Sequence, residues 1–242
     1  MGYVQLGDVE TYYEAHGDGE PLLLLHPGGV DARAFAPNLG ALAARFRVLT
    51  PERRGHGRTA DVDGPISYDL MADDTIAFLE AEVGGPAHLV GCSDGATVAL
   101  HAALRRPDLA RRVVLVAGVF HRDGWAPGVI EDEVAAANGG NATPLAAKLA
   151  RMHAEEPGLT DADLAAVTSR TLVMAGDDDE VTLEHAAALD RGLPDAELAI
   201  VPGTSHGLLV EKPMLCNLMI VDFLTSDPVR TMVPIRRRDD GR

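Results

Sequence analysis

Residues 91–95, Gly-Cys-Ser-Asp-Gly, form a pattern that can present a serine for nucleophilic chemistry. The apolar run before them is typical of a strand, and the alanine-rich segment after them is typical of a helix. A sharp turn between such elements strains the serine backbone and raises its hydroxyl above the sheet, while flanking glycines leave room for the turn. The alternative is an ordinary Ser/Gly-rich turn without chemistry. The strand and helix on either side favour Ser93 as a nucleophile.

A serine hydroxyl attacks a carbonyl only when a base takes its proton, and that base needs an orienting carboxylate. Among nine histidines, His206 lies in a loop directly after a predicted strand, where α/β sheets place functional residues. We therefore predict that His206 is the base. A structural role is expected for the histidines inside predicted strands or helices, which are His88, His101, His153 and His185.

The orienting carboxylate is expected between Ser93 and His206 in the chain. Four acidic residues at 177–180 follow a predicted strand and precede a helix. We predict Asp179 as the acid, with Asp178 as the second choice. The alternative is that these acids only favour the positive N-terminal end of the following helix. The alternating ligand pattern of a calcium loop is absent, so no metal site is expected.

Apolar runs and segments with helical spacing alternate along most of the chain. A run such as 22–25, in which every residue is apolar, is typical of a strand buried on both faces. This alternation implies a mostly parallel central sheet with helices on both faces, so we predict an α/β fold. The predicted strands are 9–15, 22–25, 47–49, 87–91, 112–117, 171–175 and 197–201, and the predicted helices are 35–45, 68–83, 95–106, 182–193 and 208–224.

The alternation stops between residues 119 and 168. This stretch has no strand-like run, and its polar segments predict two or three helices around 130–137, 144–155 and 160–167. We interpret it as a helical cap inserted into a core of residues 1–118 and 169–226, with a tail at 227–242. Its few large apolar residues argue against a wide lipid-binding cleft; they include Phe120, Trp125, Ile130 and Leu145.

The composition excludes several classes of function. The chain has 242 residues, of which 46% are hydrophobic and 24% charged, as in ordinary globular proteins, and its net charge is −16. That charge repels phosphate backbones and anionic lipids, so we expect neither nucleic-acid nor membrane binding. Cys92 and Cys216 allow one bridge at most, and the N-terminus lacks the features of a signal peptide. We therefore expect a cytoplasmic protein with reduced thiols.

Four motifs in order make the sequence similar to the α/β-hydrolase family over nearly its whole length. They are Leu25-His26-Pro27-Gly28-Gly29, Arg54-Gly55-His56-Gly57-Arg58-Thr59, the segment 91–95, and the paired segments 176–179 and 203–206. The resemblance implies the α/β-hydrolase fold, a Ser-His-Asp triad without a cofactor, and Asp179 as the triad acid. Two positions depart from the family's pattern: Pro27 stands where glycine is usual, and Glu180 replaces the usual proline after the acid.

The resemblance also implies how the substrate is held. One amide for the oxyanion is that of Asp94, and because Pro27 has no N–H, the second is that of Gly28, with Gly29 as the alternative. The Ser-Asp-Gly sequence resembles the valacyclovirase-like branch, in which the acid after the serine recognises the amino group of α-amino-acid esters. A carboxylate at the mouth of the site would bind that amino group. The alternative is that the Asp94 carboxylate only faces solvent at the start of a helix. We expect the substrate to contact Gly29, Asp94 and Trp125.

Together these residues predict a cofactor-independent serine hydrolase that cleaves a carboxylic ester of a small or medium substrate. The same triad could instead serve C–C, thioester, lactone or perhydrolase chemistry. A non-catalytic ligand receptor on the same fold is the alternative from another class. A small-molecule ester is the only binding partner that we expect, and the oligomeric state cannot be predicted from the sequence.

Overall fold

The computed structural model describes residues 1–234 and contains one eight-stranded sheet. The strands are β1 (Gly2–Leu6), β2 (Val9–His16), β3 (Glu20–Leu25), β4 (Phe46–Pro51), β5 (Ala87–Cys92), β6 (Ala110–Val116), β7 (Arg170–Gly176) and β8 (Ala196–Val201). Their order is β1-β2-β4-β3-β5-β6-β7-β8. Strand β2 is antiparallel to β1 and β4, and all the other pairs are parallel. This is the predicted mostly parallel sheet.

The leucine run of β3 shows why the sheet needs helices on both faces. Leu23 and Leu25 pack into one hydrophobic cluster, while Leu22 and Leu24 pack into the other. All four side chains are fully buried. Because successive side chains of a strand point to opposite faces, a run of four apolar residues requires an apolar layer on each side.

Two layers of helices supply that cover. On one face lie α2 (Tyr68–Phe78), α3 (Asp94–Arg105) and α7 (Leu183–Gly192); on the other lie α1 (Ala36–Ala43), α8 (Leu208–Glu211) and α9 (Pro213–Thr225). Helix α3 is buried continuously from Asp94 to Ala103. Its small alanine side chains allow it to pack closely against both the sheet and α2.

The chain leaves the sheet between β6 and β7. There it forms a short 3-10 helix (Arg122–Gly124) and three α-helices, α4 (Val129–Asn138), α5 (Pro144–Glu155) and α6 (Asp161–Ala165), where polar helices are predicted. We call α4 and α5 the cap helices, because both contribute side chains to the wall of the cavity described below.

Several elements differ from the sequence predictions. Strand β1 is not predicted; it pairs with β2 through a two-residue turn in which Gly7 has φ = 57°. The helix predicted over 208–224 is broken into α8 and α9, because Pro213 lacks an N–H and Lys212 before it is not helical. The helix predicted over 68–83 ends at Phe78 and continues as one wider turn. The end of the predicted tail, residues 235–242, lies outside the described residues.

Candidate active site

Ser93 lies in the turn that connects β5 to α3. Its backbone has φ = 53° and ψ = −122°, a conformation that residues with a side chain rarely adopt. A Cβ on Gly91 would lie 2.1 Å from the carbonyl oxygen of Gly95, and a Cβ on Gly95 would lie 2.0 Å from the carbonyl oxygen of Leu25. Both positions therefore require glycine, which explains the spacing of the motif.

Three side chains from three strand ends form one chain of hydrogen bonds. Oδ1 of Asp179 lies 2.7 Å from Nδ1 of His206, and Nε2 of His206 lies 2.9 Å from Oγ of Ser93. Ser93 follows β5, Asp179 follows β7 and His206 follows β8. The parallel strands thus bring together Ser93 and His206, which are 113 positions apart in the chain. In this geometry an imidazole can accept the serine proton while a carboxylate holds its other N–H.

The Asp179 carboxylate is also held by two backbone amides. The N–H of Gly176 donates to Oδ2 at 2.9 Å, and the N–H of Val181 donates to Oδ1 at 3.1 Å. Burial raises the pKa of this carboxyl, but the hydrogen bonds from His206 and the two amides outweigh burial, so its pKa lies below the ordinary value. Asp178, the second choice from the sequence, is exposed and does not contact His206.

The environment of His206 favours its protonated form. Burial lowers the pKa of the imidazole, but the hydrogen bond and charge of Asp179 outweigh burial, so the pKa lies above the ordinary value. Glu180 acts in the same direction, since its Oε2 lies 3.9 Å from Nε2 of His206. Its side chain is 55% exposed, so solvent screens part of its charge. The residue that departs from the family's proline thus places a carboxylate beside the imidazole.

A cavity of about 470 Å³ opens beside Ser93 and His206. Gly29, Asp94 and Trp125, the three residues expected to contact a substrate, all belong to its wall. The Trp125 ring centroid lies 6.1 Å from that of His206. The cap contributes five apolar residues to the wall, namely Val129, Ile130, Leu145, Ala146 and Leu149. The volume suits a small or medium ligand.

The two amides expected to bind an oxyanion belong to neighbouring residues in space. Asp94 is the first residue of α3, where an N–H has no acceptor within its own helix. Gly28 lies against it, because a Cβ on Gly28 would be 2.1 Å from Oδ2 of Asp94. The fully buried His26 holds this loop: Nδ1 donates to the Pro27 carbonyl at 2.7 Å, and Nε2 accepts the N–H of Arg53 at 3.0 Å.

The Asp94 side chain neither reaches the mouth of the cavity nor faces solvent, so both expectations for its position are wrong. The residue is 1% exposed. Its Oδ1 accepts hydrogen bonds from the Tyr68 hydroxyl at 2.7 Å and from Nε2 of His153 at 2.8 Å. The physical reason is packing: α2 and the cap helix α5 enclose the start of α3. A substrate ammonium would have to displace one of these two donors to pair with Oδ1.

His153 on α5 connects Asp94 to the other cap helix. Its Nδ1 lies 2.7 Å from Oε2 of Glu133 on α4. Burial lowers the pKa of His153, but the charges and hydrogen bonds of Asp94 and Glu133 outweigh burial and raise the pKa to about 10. The sequence predicts only a structural role for His153, yet it belongs to the cavity wall. No local motif signals this, because 59 residues separate it from Asp94.

Within residues 1–234, no group of three or more histidine, cysteine, aspartate or glutamate side chains could hold a metal ion. Cys92 and Cys216 are buried and unpaired, and burial raises the pKa of Cys92 to about 12, so this thiol is a poor nucleophile. No helix in that part of the chain combines the length and apolar character needed to cross a membrane.

Known proteins resemble this chain over about half to nine-tenths of its length. The putative carbamate hydrolase RutD of Azorhizobium caulinodans is 29% identical over 259 residues, which cover 92% of this chain and 98% of that protein. An (E)-2-((N-methylformamido)methylene)succinate hydrolase of Acinetobacter baylyi is 29% identical over 120 residues, 49% of this chain and 46% of that protein.

Solved structures share the fold. The enol-lactonase from Burkholderia xenovorans LB400 superposes with a TM-score of 0.79 at 20% identity, covering 93% of this chain and 100% of that one. A thermophilic esterase from Thermogutta terrifontis gives a TM-score of 0.77 at 23% identity, covering 93% of this chain and 98% of that one. Residues 22–215 match the sequence profile of the alpha/beta hydrolase family. The chain is thus a member of the α/β-hydrolase family and a hydrolase.

Proposed function

We propose that the protein is a cofactor-independent serine hydrolase that cleaves a carboxylic ester of a small or medium substrate. The observation that carries this proposal is the chain of hydrogen bonds from Asp179 through His206 to Ser93, at 2.7 and 2.9 Å, beside a cavity. A protein that only binds a ligand has no need for a serine, an imidazole and a buried carboxylate joined by hydrogen bonds. The strained backbone of Ser93 also supports a catalytic role, since strain of this kind is concentrated at functional sites.

The geometry supports a reaction through an acyl-enzyme. Ser93 Oγ attacks the substrate carbonyl as its proton passes to Nε2 of His206, and Asp179 stabilises the imidazolium that forms. The amides of Gly28 and Asp94 bind the oxyanion. The tetrahedral intermediate then collapses, the leaving group takes the proton from Nε2, and an acyl-enzyme remains on Ser93. Water, activated by the same imidazole, releases the acid and restores the serine.

The cavity supports an acyl group without a negative charge. The side chains of Glu133 and Glu180 give the wall two carboxylates, whereas the residues that line it within the described chain include no lysine or arginine. The net charge of −16 also disfavours polyanionic partners. We propose a small molecule, rather than a nucleic acid or a membrane, as the binding partner.

A second candidate is hydrolysis of a carbamate. The specific observation in its favour is the similarity to the putative carbamate hydrolase RutD over 92% of this chain. The same nucleophile and oxyanion amides would serve, and the difference lies in a carbonyl that the carbamate nitrogen makes less electrophilic.

Labelling and a substrate panel test the proposal. A fluorophosphonate probe should label the wild type and should not label Ser93→Ala. Ser205→Ala is the matched control, because this serine is next to His206 in sequence but donates to Glu211 at 2.6 Å, so labelling should persist. Equal labelling of Ser93→Ala and the wild type would contradict the proposal.

p-Nitrophenyl esters of increasing chain length, p-nitrophenyl carbamates and α-amino-acid esters should then be compared by kcat/KM. The ester proposal predicts the highest values for short, uncharged acyl groups. Faster turnover of the carbamates would favour the second candidate. Labelling without turnover of any ester or carbamate would leave the nucleophile assigned and would contradict both proposed substrate classes.

A further inference from the structure

A row of alternating charges runs from the core to the cap beside Ser93. The buried Arg53 guanidinium donates to the His26 carbonyl at 2.6 Å and is the second cation that lowers the pKa of Asp94, after His153. Asp94 pairs with His153 at 2.8 Å, and His153 pairs with Glu133 at 2.7 Å. The reaction proposed above makes no use of His153.

The contacts of His153 require it to carry two ring protons. Both of its nitrogens face carboxylate oxygens, which are acceptors when ionised. A neutral imidazole donates from only one nitrogen, so one of the two contacts needs a further proton. That proton resides on the imidazole, because an imidazole is more basic than a carboxylate. The Tyr68 ring stacks on His153 with centroids 6.4 Å apart and adds no charge.

The Asp94 carboxylate lies next to the place where the substrate would develop negative charge. Its own backbone N–H is one proposed oxyanion donor, and its Oδ2 lies against Gly28, which carries the other. Oδ2 is buried and accepts no hydrogen bond from the described residues. An uncompensated anion at this point would oppose the oxyanion through a medium that screens charge poorly.

We propose that His153 is a positioning residue for the hydrolysis: its imidazolium neutralises the Asp94 carboxylate beside the oxyanion-binding amides and holds that carboxylate out of the cavity. The inference rests on the proposed function in so far as it concerns the rate. Glu133 orients the ring from the cap side, where its side chain is 34% exposed. We therefore expect the rate to fall more when the Asp94–His153 contact is lost than when the His153–Glu133 contact is lost.

The first test does not depend on activity. ¹⁵N NMR of the histidine side chains should show His153 protonated on both ring nitrogens at pH 8, with its signals assigned by their loss in His153→Gln. If that variant does not fold, Glu133→Gln gives the assignment, because it changes the same signals. A neutral His153 at pH 8 would overturn the proposal, whether or not the protein hydrolyses esters.

The second test separates neutralisation from packing. His153→Gln should lower kcat on p-nitrophenyl acetate by about 10- to 100-fold, the loss expected for a charge-assisted contact, with little change in KM. Glu133→Gln, which keeps the Asp94–His153 pair, should lower kcat by clearly less than His153→Gln does, by at least about threefold less. His101→Gln is the control, since His101 also contacts the Tyr68 ring but pairs with Asp69 away from the cavity.

Removal of the Asp94 charge should rescue the His153→Gln variant. Adding Asp94→Asn to His153→Gln should restore about tenfold in kcat, because the anion that needed neutralising is gone. Thermal unfolding of each variant identifies losses caused by misfolding. Equal losses in Glu133→Gln and His153→Gln, or no recovery in a folded double variant, would show that His153 acts only through packing of the cap and would refute the proposal.

Discussion

Asp179→Asn tests the proposed triad most sharply, because it keeps the shape of the side chain and removes its charge. The native carboxylate accepts three N–H donors, from His206, Gly176 and Val181, at 2.7, 2.9 and 3.1 Å. An asparagine offers one acceptor oxygen and turns an NH₂ group toward at least one of these donors. If that group faces Nδ1 of His206, the imidazole keeps its proton on Nε2, and Ser93 loses its base.

The size of the effect follows from two losses. The wrong tautomer removes the base, and the missing charge no longer stabilises the imidazolium. Together these should lower kcat by about 10³- to 10⁴-fold, equivalent to about 4 to 5.5 kcal/mol. A buried donor without an acceptor should also lower the free energy of unfolding by about 1 to 3 kcal/mol. The residual activity should reach its plateau at lower pH, because Asp179 raises the pKa of His206.

The assay is hydrolysis of p-nitrophenyl acetate as a function of pH, together with thermal unfolding of each variant. Asp178→Asn is the matched control: it is the same substitution one residue earlier, on an exposed side chain, and it should be nearly silent. The reasoning would be refuted if folded Asp179→Asn kept a tenth of the wild-type kcat, or if Asp178→Asn were the more damaging change.

Three further predictions concern the same site. Ser93→Ala and His206→Ala should each lower kcat by at least about 10⁴-fold without unfolding the protein, and their combination should cost no more than either alone. The wild-type kcat/KM should rise with pH as His206 loses its proton, with a midpoint above about 6.5 because the pKa of His206 is raised. Glu180→Gln should move that midpoint to lower pH. An unchanged midpoint would show that Glu180 does not raise the pKa of His206. Gly28→Ala should lower kcat by about 10²-fold or more, since its Cβ would lie 2.1 Å from Asp94 Oδ2 and move the loop; full activity would exclude Gly28 as an oxyanion donor.

The sheet and the meeting of Ser93 with His206 could be predicted from the apolar pattern of the strands. The apolar run of β3 implies burial on both faces, which in turn implies a parallel sheet between helices. Parallel strands place their carboxyl ends at one edge, so the loops after β5, β7 and β8 had to meet there. This is why Ser93 and His206 could be proposed as partners although they are 113 residues apart.

Some features carried a signal that periodicity alone does not capture. The Gly7-Asp8 pair is a hairpin turn, and β1 before it is exposed at alternate residues because it lies at the edge of the sheet. Pro213 cannot continue a helix and stands in the first turn of α9, so the sequence indicates the break between α8 and α9. The residue types at the turn and at the helix break, rather than the apolar pattern, thus explain the hairpin after β1 and the separation of α8 from α9.

The sequence by itself located the turn around the serine, because Gly91 and Gly95 flank it between an apolar run and an alanine-rich segment. A Cβ on Gly91 would meet the nearby carbonyl of Gly95, whereas a Cβ on Gly95 would meet the carbonyl of Leu25 on another strand. Only the tertiary structure decided where the neighbouring carboxylate points. At a helix start Asp94 could have faced solvent or substrate, and it is buried because Tyr68 on α2 and His153 on α5 close over it. Turn geometry is set by neighbours along the chain, whereas the partners of a side chain depend on packing between elements that lie far apart in sequence.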